Sequence, residues 1–318
     1  MSEYGAVVAE HGGQIDIACG DQRVAVVGLG GGLRSYVVDG RELLDGFPAG
    51  ERPTSGRGQV LAPWPNRIAD GSYEFDGKRL QLPLTEPEHG NAIHGLVRGA
   101  TWNVVESAPD RVVMDYLLEP QPGYPFTLAL GIEYGLSDAG LTVTTTARNM
   151  GTEACPYGSG QHPYLTLGTP TVDTLRLRVP GQVVVFSDER GLPVRSESVD
   201  GTDYDFRTGR TVGRTVLDHA YTALERDPNG RALVLLDDPD GDSGITLWVD
   251  ESYPYLMVFT GDPLPDVARR SLAVEPMTCP PNAFRTGDSL LRLDPGEATV
   301  STWGIELRLA GEGGLDVR

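Results

Sequence analysis

No apolar run in this sequence approaches the roughly 18–20 residues that a membrane-spanning helix needs. The first residues, Met1-Ser2-Glu3-Tyr4-Gly5, carry neither the basic cluster nor the apolar stretch of a secretory signal. The expected location is therefore the cytoplasm. Cysteine is scarce: Cys19, Cys155 and Cys279 are odd in number, far apart, and form no C-x-x-C. That excludes a disulfide scaffold or a cysteine zinc site, and reduced thiols fit the cytosol. Positive charge is short as well, with 26 Lys and Arg against 45 Asp and Glu and a net charge of −19. Nucleic-acid backbones and anionic membranes would be repelled. A polyanionic substrate would need a local basic pocket.

Helical signals are equally sparse. There is no long amphipathic segment, no repeat of fixed period and no low-complexity linker, so residues 1–318 read as one domain. A short turn at residues 265–270 is the one helical candidate. What is present is the rhythm of an all-β chain: 41 glycines and 24 prolines punctuate short runs of Val, Leu, Ile and Thr. Residues 140–147 are dominated by β-branched Thr and Val. Trp303, Ile305, Leu307 and Leu309 alternate with Gly304, Glu306 and Arg308, the period-two pattern of a strand with one buried face. Residues 23–27, 111–118, 126–136, 232–236, 245–249 and 256–259 read the same way. The expected fold is a large antiparallel β-sandwich of two extended sheets with very little helix. Its loops would carry the chemistry.

One glycine run invites over-reading. Gly28-Leu29-Gly30-Gly31-Gly32-Leu33 has leucine where a dinucleotide loop needs its third glycine, and a strand-like Arg34-Ser35-Tyr36-Val37-Val38 follows instead of a helix. A glycine-rich hairpin is the better reading, with Asp39-Gly40 and Asp76-Gly77 as further hairpin turns.

Five polar stretches sit in apolar surroundings. Gly158-Ser159-Gly160-Gln161-His162-Pro163-Tyr164 places a histidine between glycines and a proline. Taken alone it reads as structural. Pro63-Trp64-Pro65-Asn66-Arg67-Ile68 stiffens the backbone before an arginine whose donor fork suits oxygen-rich ligands; a surface salt bridge explains it equally. Ile93-His94-Gly95 has the look of a core histidine. Asp218-His219-Ala220-Tyr221 offers a carboxylate for vicinal hydroxyls, or a turn cap. Val274-Glu275-Pro276-Met277 ends an apolar run in a carboxylate that is costly to bury without a partner or a task.

In this order and spacing, these stretches resemble the aldose 1-epimerase (galactose mutarotase-like) family: N-R-I at Asn66–Ile68, I-H-G at Ile93–Gly95, H-P-Y at His162–Tyr164, D-x-A-Y at Asp218–Tyr221, and V-E-P with a following P-x-N at Val274–Asn282. The resemblance covers nearly the whole chain. It implies a large antiparallel sandwich with a sugar cleft on one face and no cofactor or metal. His162 would be the general acid and Glu275 the general base, with His94 assisting. Asn66, Arg67, Tyr164 and Asp218 would hold a monosaccharide. Gln161 and Pro163 depart from the N-H-S-Y pattern of galactose-type members, and Pro276-Met277 departs from E-T-Q. These departures bear on which sugar is preferred.

The implied chemistry suits these residues. Anomer interconversion opens the ring: a base takes the proton of the anomeric hydroxyl while an acid protonates the ring oxygen. The expected arrangement is a base and an acid on opposite sides of the anomeric centre. Ordinary Glu and His titrate near about 4.3 and 6.5, which would make ionised Glu275 and protonated His162 the resting pair between those values. Asp218 would help to keep His162 protonated. Trp64, Tyr164 and Phe259 are the candidates for a stacking aromatic. Three other readings stay open: a glycoside hydrolase using Asp218 and Glu275, a sugar-binding protein without activity, and an epimerase for a phosphorylated or sulfonated sugar.

Overall fold

The computed structural model describes residues 13–241 and 243–309. The initial Met1-Ser2-Glu3-Tyr4-Gly5 lies outside them. The chain is about 51% strand and 2% helix, as the period-two patterning predicts. A nine-stranded antiparallel sheet runs in the order Asn103–Ala108, Arg111–Leu118, Leu128–Ser137, Gly140–Asn149, Ala298–Leu309, Ser243–Val249, Ala232–Asp237, Arg176–Arg178 and Arg210–Thr211. An eight-stranded sheet runs Pro193–Ser198, Gly181–Ser187, Asp218–Leu224, Tyr255–Phe259, Leu272–Met277, Gly160–Gln161 and Val60–Leu61, with Tyr164–Leu165 also paired to Leu272–Met277. A four-stranded sheet spanning Gln14–Cys19 to Arg41–Glu42 and several two-stranded ribbons complete the described fold.

Alternation accounts for the burial. In Leu128–Ser137 every second residue from Leu128 to Leu136 is buried. Trp303 and Ile305 are fully buried, whereas Leu307 is half-buried and Leu309 exposed, because the stripe outruns the core at the strand's end. Apolar residues of both large sheets join in one cluster. The glycine run closes the hairpin between Gln22–Val27 and Gly32–Val38. Asp39-Gly40 and Asp76-Gly77 both turn with positive φ at each residue, the type I′ geometry of tight hairpins.

Residues 265–270 are not helical. Asp266 and Arg269 take φ values of 63° and 56°, and left-handed residues cannot continue a right-handed turn. The one α-helix among the described residues is Ala283–Thr286.

Gln161 ties the two large sheets together from within. Its amide nitrogen donates to the Tyr134 hydroxyl at 2.7 Å, and its carbonyl accepts from the Trp303 indole at 3.2 Å. Both partners belong to the nine-stranded sheet. A buried acceptor left without its donor costs about 1–3 kcal/mol. Trp303→Phe, which keeps an aromatic ring but removes the indole N–H, is expected to lower unfolding stability by at least that amount, read from the urea midpoint at unchanged m-value.

Candidate active site

Pairing on the eight-stranded sheet assembles the site. Gly160 lies opposite Met277 and Tyr164 opposite Ala273. Continuing that register sets His162 directly across from Glu275. Pro163 and Pro276 have no N–H to give the ladder there, yet the Val274 N–H still reaches the Pro163 carbonyl at 3.2 Å. On the other side of this strand Glu275 lies opposite Met257, which in turn faces Ala220; Ala273, Phe259 and Asp218 form the neighbouring row. Side chains two apart share a face, so His162, Tyr164, Glu275, Met257, Phe259 and Asp218 all project from the same side of the sheet. They line a cleft of about 400 Å³ together with Asn66, Arg67, Glu86, His94 and Arg98.

At its floor His162 Nε2 is 3.3 Å from Glu275 Oε1, and both side chains are almost wholly buried. The residues expected as acid and base are thus in direct contact. Glu275 Oε2 and His162 Nδ1 have no hydrogen-bond partner in the protein. Leaving a buried carboxylate oxygen unbonded is unfavourable, and such a group in a cleft marks a site poised for a ligand. Burial pushes the Glu275 carboxyl well above its usual range; the nearby Asp218 charge adds to this and Arg67 opposes it. Burial lowers His162 to about 3, with the charges of Arg98 and Arg57 acting in the same direction. The resting pair therefore holds one proton and no net separated charge. Asp218 acts on Glu275 and not, as expected from sequence, as the anion that keeps His162 protonated.

Pairing of Arg67–Ala69 with Asn91–Ile93 brings two more motifs together. The Asn66 N–H donates to His94 Nδ1 at 3.2 Å, and the His94 N–H donates to the Asn66 carbonyl at 2.9 Å. Both residues are left-handed, with φ of 54° and 60°; for histidine that costs on the order of 1–2 kcal/mol. A backbone N–H can only donate, so Nδ1 is the acceptor and the proton of neutral His94 sits on Nε2. Burial holds His94 well below the usual histidine value, reinforced by His162, Arg98 and Arg67. His94 is a neutral hydrogen-bond donor.

Those features decide the metal question as well. His94, His162 and Glu275 bring their ligating atoms within 4.8 Å of one another, a donor set that zinc or iron would accept. A ligating imidazole offers one lone pair and donates through its other nitrogen. In His94 the Nδ1 lone pair already accepts the Asn66 N–H, and Nε2 carries the proton. The set does not fit a resident metal.

The sequence profile of the aldose 1-epimerase family matches residues 14–306. The chain belongs to the aldose 1-epimerase family. The uncharacterized protein YihR of Escherichia coli is 36% identical over 287 residues, 90% of each chain. The aldose 1-epimerase of the same organism is 29% identical over 169 residues, 50% of this chain and 47% of that protein. An aldose epimerase homologue from C. elegans has the same fold, with a TM-score of 0.85 at 20% identity over 94% of this chain and 99% of that one.

Within this aldose epimerase fold, each acid, base and sugar-holding residue expected from sequence lines the cleft, but Arg67 and Tyr164 meet partners the sequence did not reveal. Arg67 is clamped by Glu86, which accepts from Nε at 2.8 Å and Nη2 at 2.9 Å. Gly191 lies against the same guanidinium, where an added Cβ would stand 2.4 Å from Nη1. Tyr164 cannot stack on a ligand: one face lies on the His162 ring at 4.8 Å and 7°, and the Arg57 guanidinium stands 4.3 Å from its ring centre. Trp64 is in the core, edge-on to Phe284. Of the three aromatic candidates, Phe259 alone lines the cleft with an accessible surface. Asp218 stands at the mouth, touching water yet walled by protein; burial raises its carboxyl, Arg67 lowers it and Glu86 raises it again.

Glu86, Arg98 and Arg57 were not legible from sequence. Gln161, one of the departures from the galactose-type pattern, points away from the cleft into the core.

In imidazole nitrogen NMR, His94 is expected to show protonated Nε2 and unprotonated Nδ1. Because their pKa values are lowered, His94 and His162 should both stay neutral as pH falls through 6.5. An ordinary midpoint near that value for either ring would contradict the burial.

Proposed function

We propose that this chain is an aldose 1-epimerase that interconverts the α and β anomers of a free monosaccharide, with residues 1–318 forming one domain. The observation that carries the reading is the contact between His162 and Glu275 at the floor of a polar cleft. The anomeric hydroxyl and the ring oxygen are bonded to the same carbon. An acid and a base serving both must stand side by side, as this pair does. The shared proton first passes from Glu275 to His162 across their contact; the Glu275 carboxylate then takes the proton of the anomeric hydroxyl while the His162 imidazolium delivers one to the ring oxygen as its bond to the anomeric carbon breaks. The open aldehyde turns about one bond and the same two groups close the ring on its other face. The pair starts and ends with one proton, so no cofactor enters the cycle.

The remaining residues position the sugar. His94 donates from Nε2, Asp218 accepts from hydroxyls at the mouth, and Phe259 with Met257 offers the apolar wall against which a sugar face packs. Asn66 fixes the His94 tautomer. Arg67, held rigid by Glu86, presents its charge to the cleft. A glycoside hydrolase would use two carboxylates about the scissile bond; here Glu275 is in contact with an imidazole instead.

His162→Asn and Glu275→Gln are each expected to lower the mutarotation rate by about 10²–10⁴-fold, followed by polarimetry of fresh α-glucose and α-galactose and by saturation-transfer NMR over a wider panel of aldoses. Near-wild-type rates in either variant would sink the assignment. Release of an aryl group from aryl glycosides would favour the hydrolase instead.

The pH dependence follows from the one-proton requirement. Adding a second proton means charging His162, held at about 3. Removing the last one means ionising Glu275, held above 4.5. Activity should therefore persist as pH falls from 6.5 towards 4, with an acid limb near 3 and a basic limb above the ordinary glutamate value. These limbs belong to the pair and not to either residue. An acid limb centred near 6.5 would show that burial does not set the proton inventory.

A further inference from the structure

Behind the reactive pair lies a half-buried carboxylate linked through its neighbours to both members. Asp45 follows Leu44, which bridges to Leu165 beside Tyr164. Its N–H donates to the Tyr164 carbonyl at 2.8 Å. Its carboxylate accepts from Arg57 at 3.2 Å, from Arg270 at 2.8 and 3.1 Å, and from the Ser271 hydroxyl at 2.7 Å. Arg57, itself buried, lies over Tyr164, and Tyr164 lies parallel on His162. The Tyr164 hydroxyl donates to the Ser55 carbonyl at 3.0 Å, and an added Cβ on the next residue, Gly56, would stand 2.8 Å from His162 Cδ2. Arg270 and Ser271 immediately precede Leu272–Met277, the strand that carries Glu275. One carboxylate thus grips the stack that backs His162 and the segment that leads to Glu275.

We propose that Asp45 and Arg57 are positioning residues for the reactive pair: through Tyr164 they hold the His162 ring against Glu275. The Arg57 charge adds to that of Arg98 in making the His162 imidazolium the stronger acid. The proposal rests on the epimerase reading for its kinetic consequence only. Neither residue touches the cleft, so any effect on catalysis passes through the stack. The charged and titratable groups that face His162 are Glu275 on the paired strand, Tyr164 on its own strand, His94 and Arg98 from the segment after Asn91–Ile93, and Arg57 from the loop before Val60–Leu61. Arg98 stands with Arg57 as the second cation acting on the ring. Asp45 stays ionised as Arg57's counter-charge: burial alone would raise it, but the bonds from Arg270 and Ser271 and the two arginine charges hold it low.

The test compares the wild type with Asp45→Asn, Arg57→Lys and Arg57→Met, reading His162 by NMR titration and mutarotation by polarimetry. Arg57→Met keeps an unbranched side chain for packing but removes the cation. It is expected to raise the His162 midpoint, because a like charge is removed from its surroundings, and to move the acid limb of the rate profile upward with it. Arg57→Lys keeps the charge and should return both towards wild type. Asp45→Asn keeps the shape but loosens the grip, and kcat should fall about 10–100-fold with KM within about twofold of wild type. If Arg57→Met does not fold, Asp45→Asn decides the positioning claim alone.

An unchanged His162 midpoint in folded Arg57→Met, identical behaviour of the Lys and Met variants, or wild-type kcat in Asp45→Asn would each overturn the proposal. If the wild type itself catalyses no mutarotation, the epimerase reading fails, while the titration arm still decides whether Arg57 acts on His162.

Discussion

A carboxylate and an imidazole facing one another across a β-ladder, deep enough to be cut off from water, form the constraint on which the rest of this structure depends. Neither group tolerates its own charge there. Burial lifts the Glu275 carboxyl and depresses the His162 imidazole, and the two shifts point to the same outcome: one proton for two sites, held across 3.3 Å. An isolated buried ion of either kind would be costly. Together they form a unit whose charge is the same whichever partner carries the proton. The unpaired Glu275 Oε2 and His162 Nδ1 are the residual cost. Groups left unsatisfied in this way are found where a ligand completes the bonding.

Such a unit needs a rigid frame, and the sheet supplies it through register. Cross-strand neighbours on one face are held at side-chain contact distance, so the separation of acid and base is set by backbone pairing and not by loop conformation. The two prolines that interrupt the ladder at this point leave backbone positions without donors, and the strand is held from its far side instead. There the Gly58 N–H donates to the His162 carbonyl, and the His162 N–H donates to the Gln59 carbonyl. Gln161, one residue earlier and therefore on the opposite face, anchors the same strand in the core. Alternation puts a structural amide and a reactive imidazole on consecutive residues with opposite surroundings.

Much of this was legible in the sequence. Period-two runs located the strands, because a half-buried strand writes its geometry directly into the order of its residues. His162 and Tyr164 at positions two apart, and a glutamate ending an apolar run, signal one face of a sheet and an unusual buried acid. The partners were not legible. Glu86 and Arg98 lie in polar stretches indistinguishable from surface loops, and Asp45 and Arg57 are ordinary letters near glycines. Their significance comes from pairing between segments far apart in sequence, such as Asp45 with Arg270 and Ser271, which no local pattern encodes. The short turn at residues 265–270 failed for a different reason: composition permits a helix there, and left-handed residues selected by tertiary packing forbid it. Trp64 was misplaced because a tryptophan between prolines suits a binding wall and a core equally well, and only packing against Phe284 decides between them.

His94 shows how a strained backbone position sets chemistry. Its left-handed conformation and that of Asn66 let the two peptide units bond each other while the Asn66 N–H also addresses the imidazole. That single donor fixes the tautomer, and the tautomer determines what the ring can offer: a proton on Nε2 and no free lone pair for a metal. A His-His-Glu cluster that by composition alone would pass for a metal centre thereby becomes a donor beside a proton-sharing pair. The same donor set with the Asn66 bond reversed, a carbonyl accepting from Nδ1–H, would have left Nε2 free to ligate. The difference between a metal site and an acid–base site here lies in the direction of one backbone hydrogen bond, and that direction follows from two residues held at positive φ.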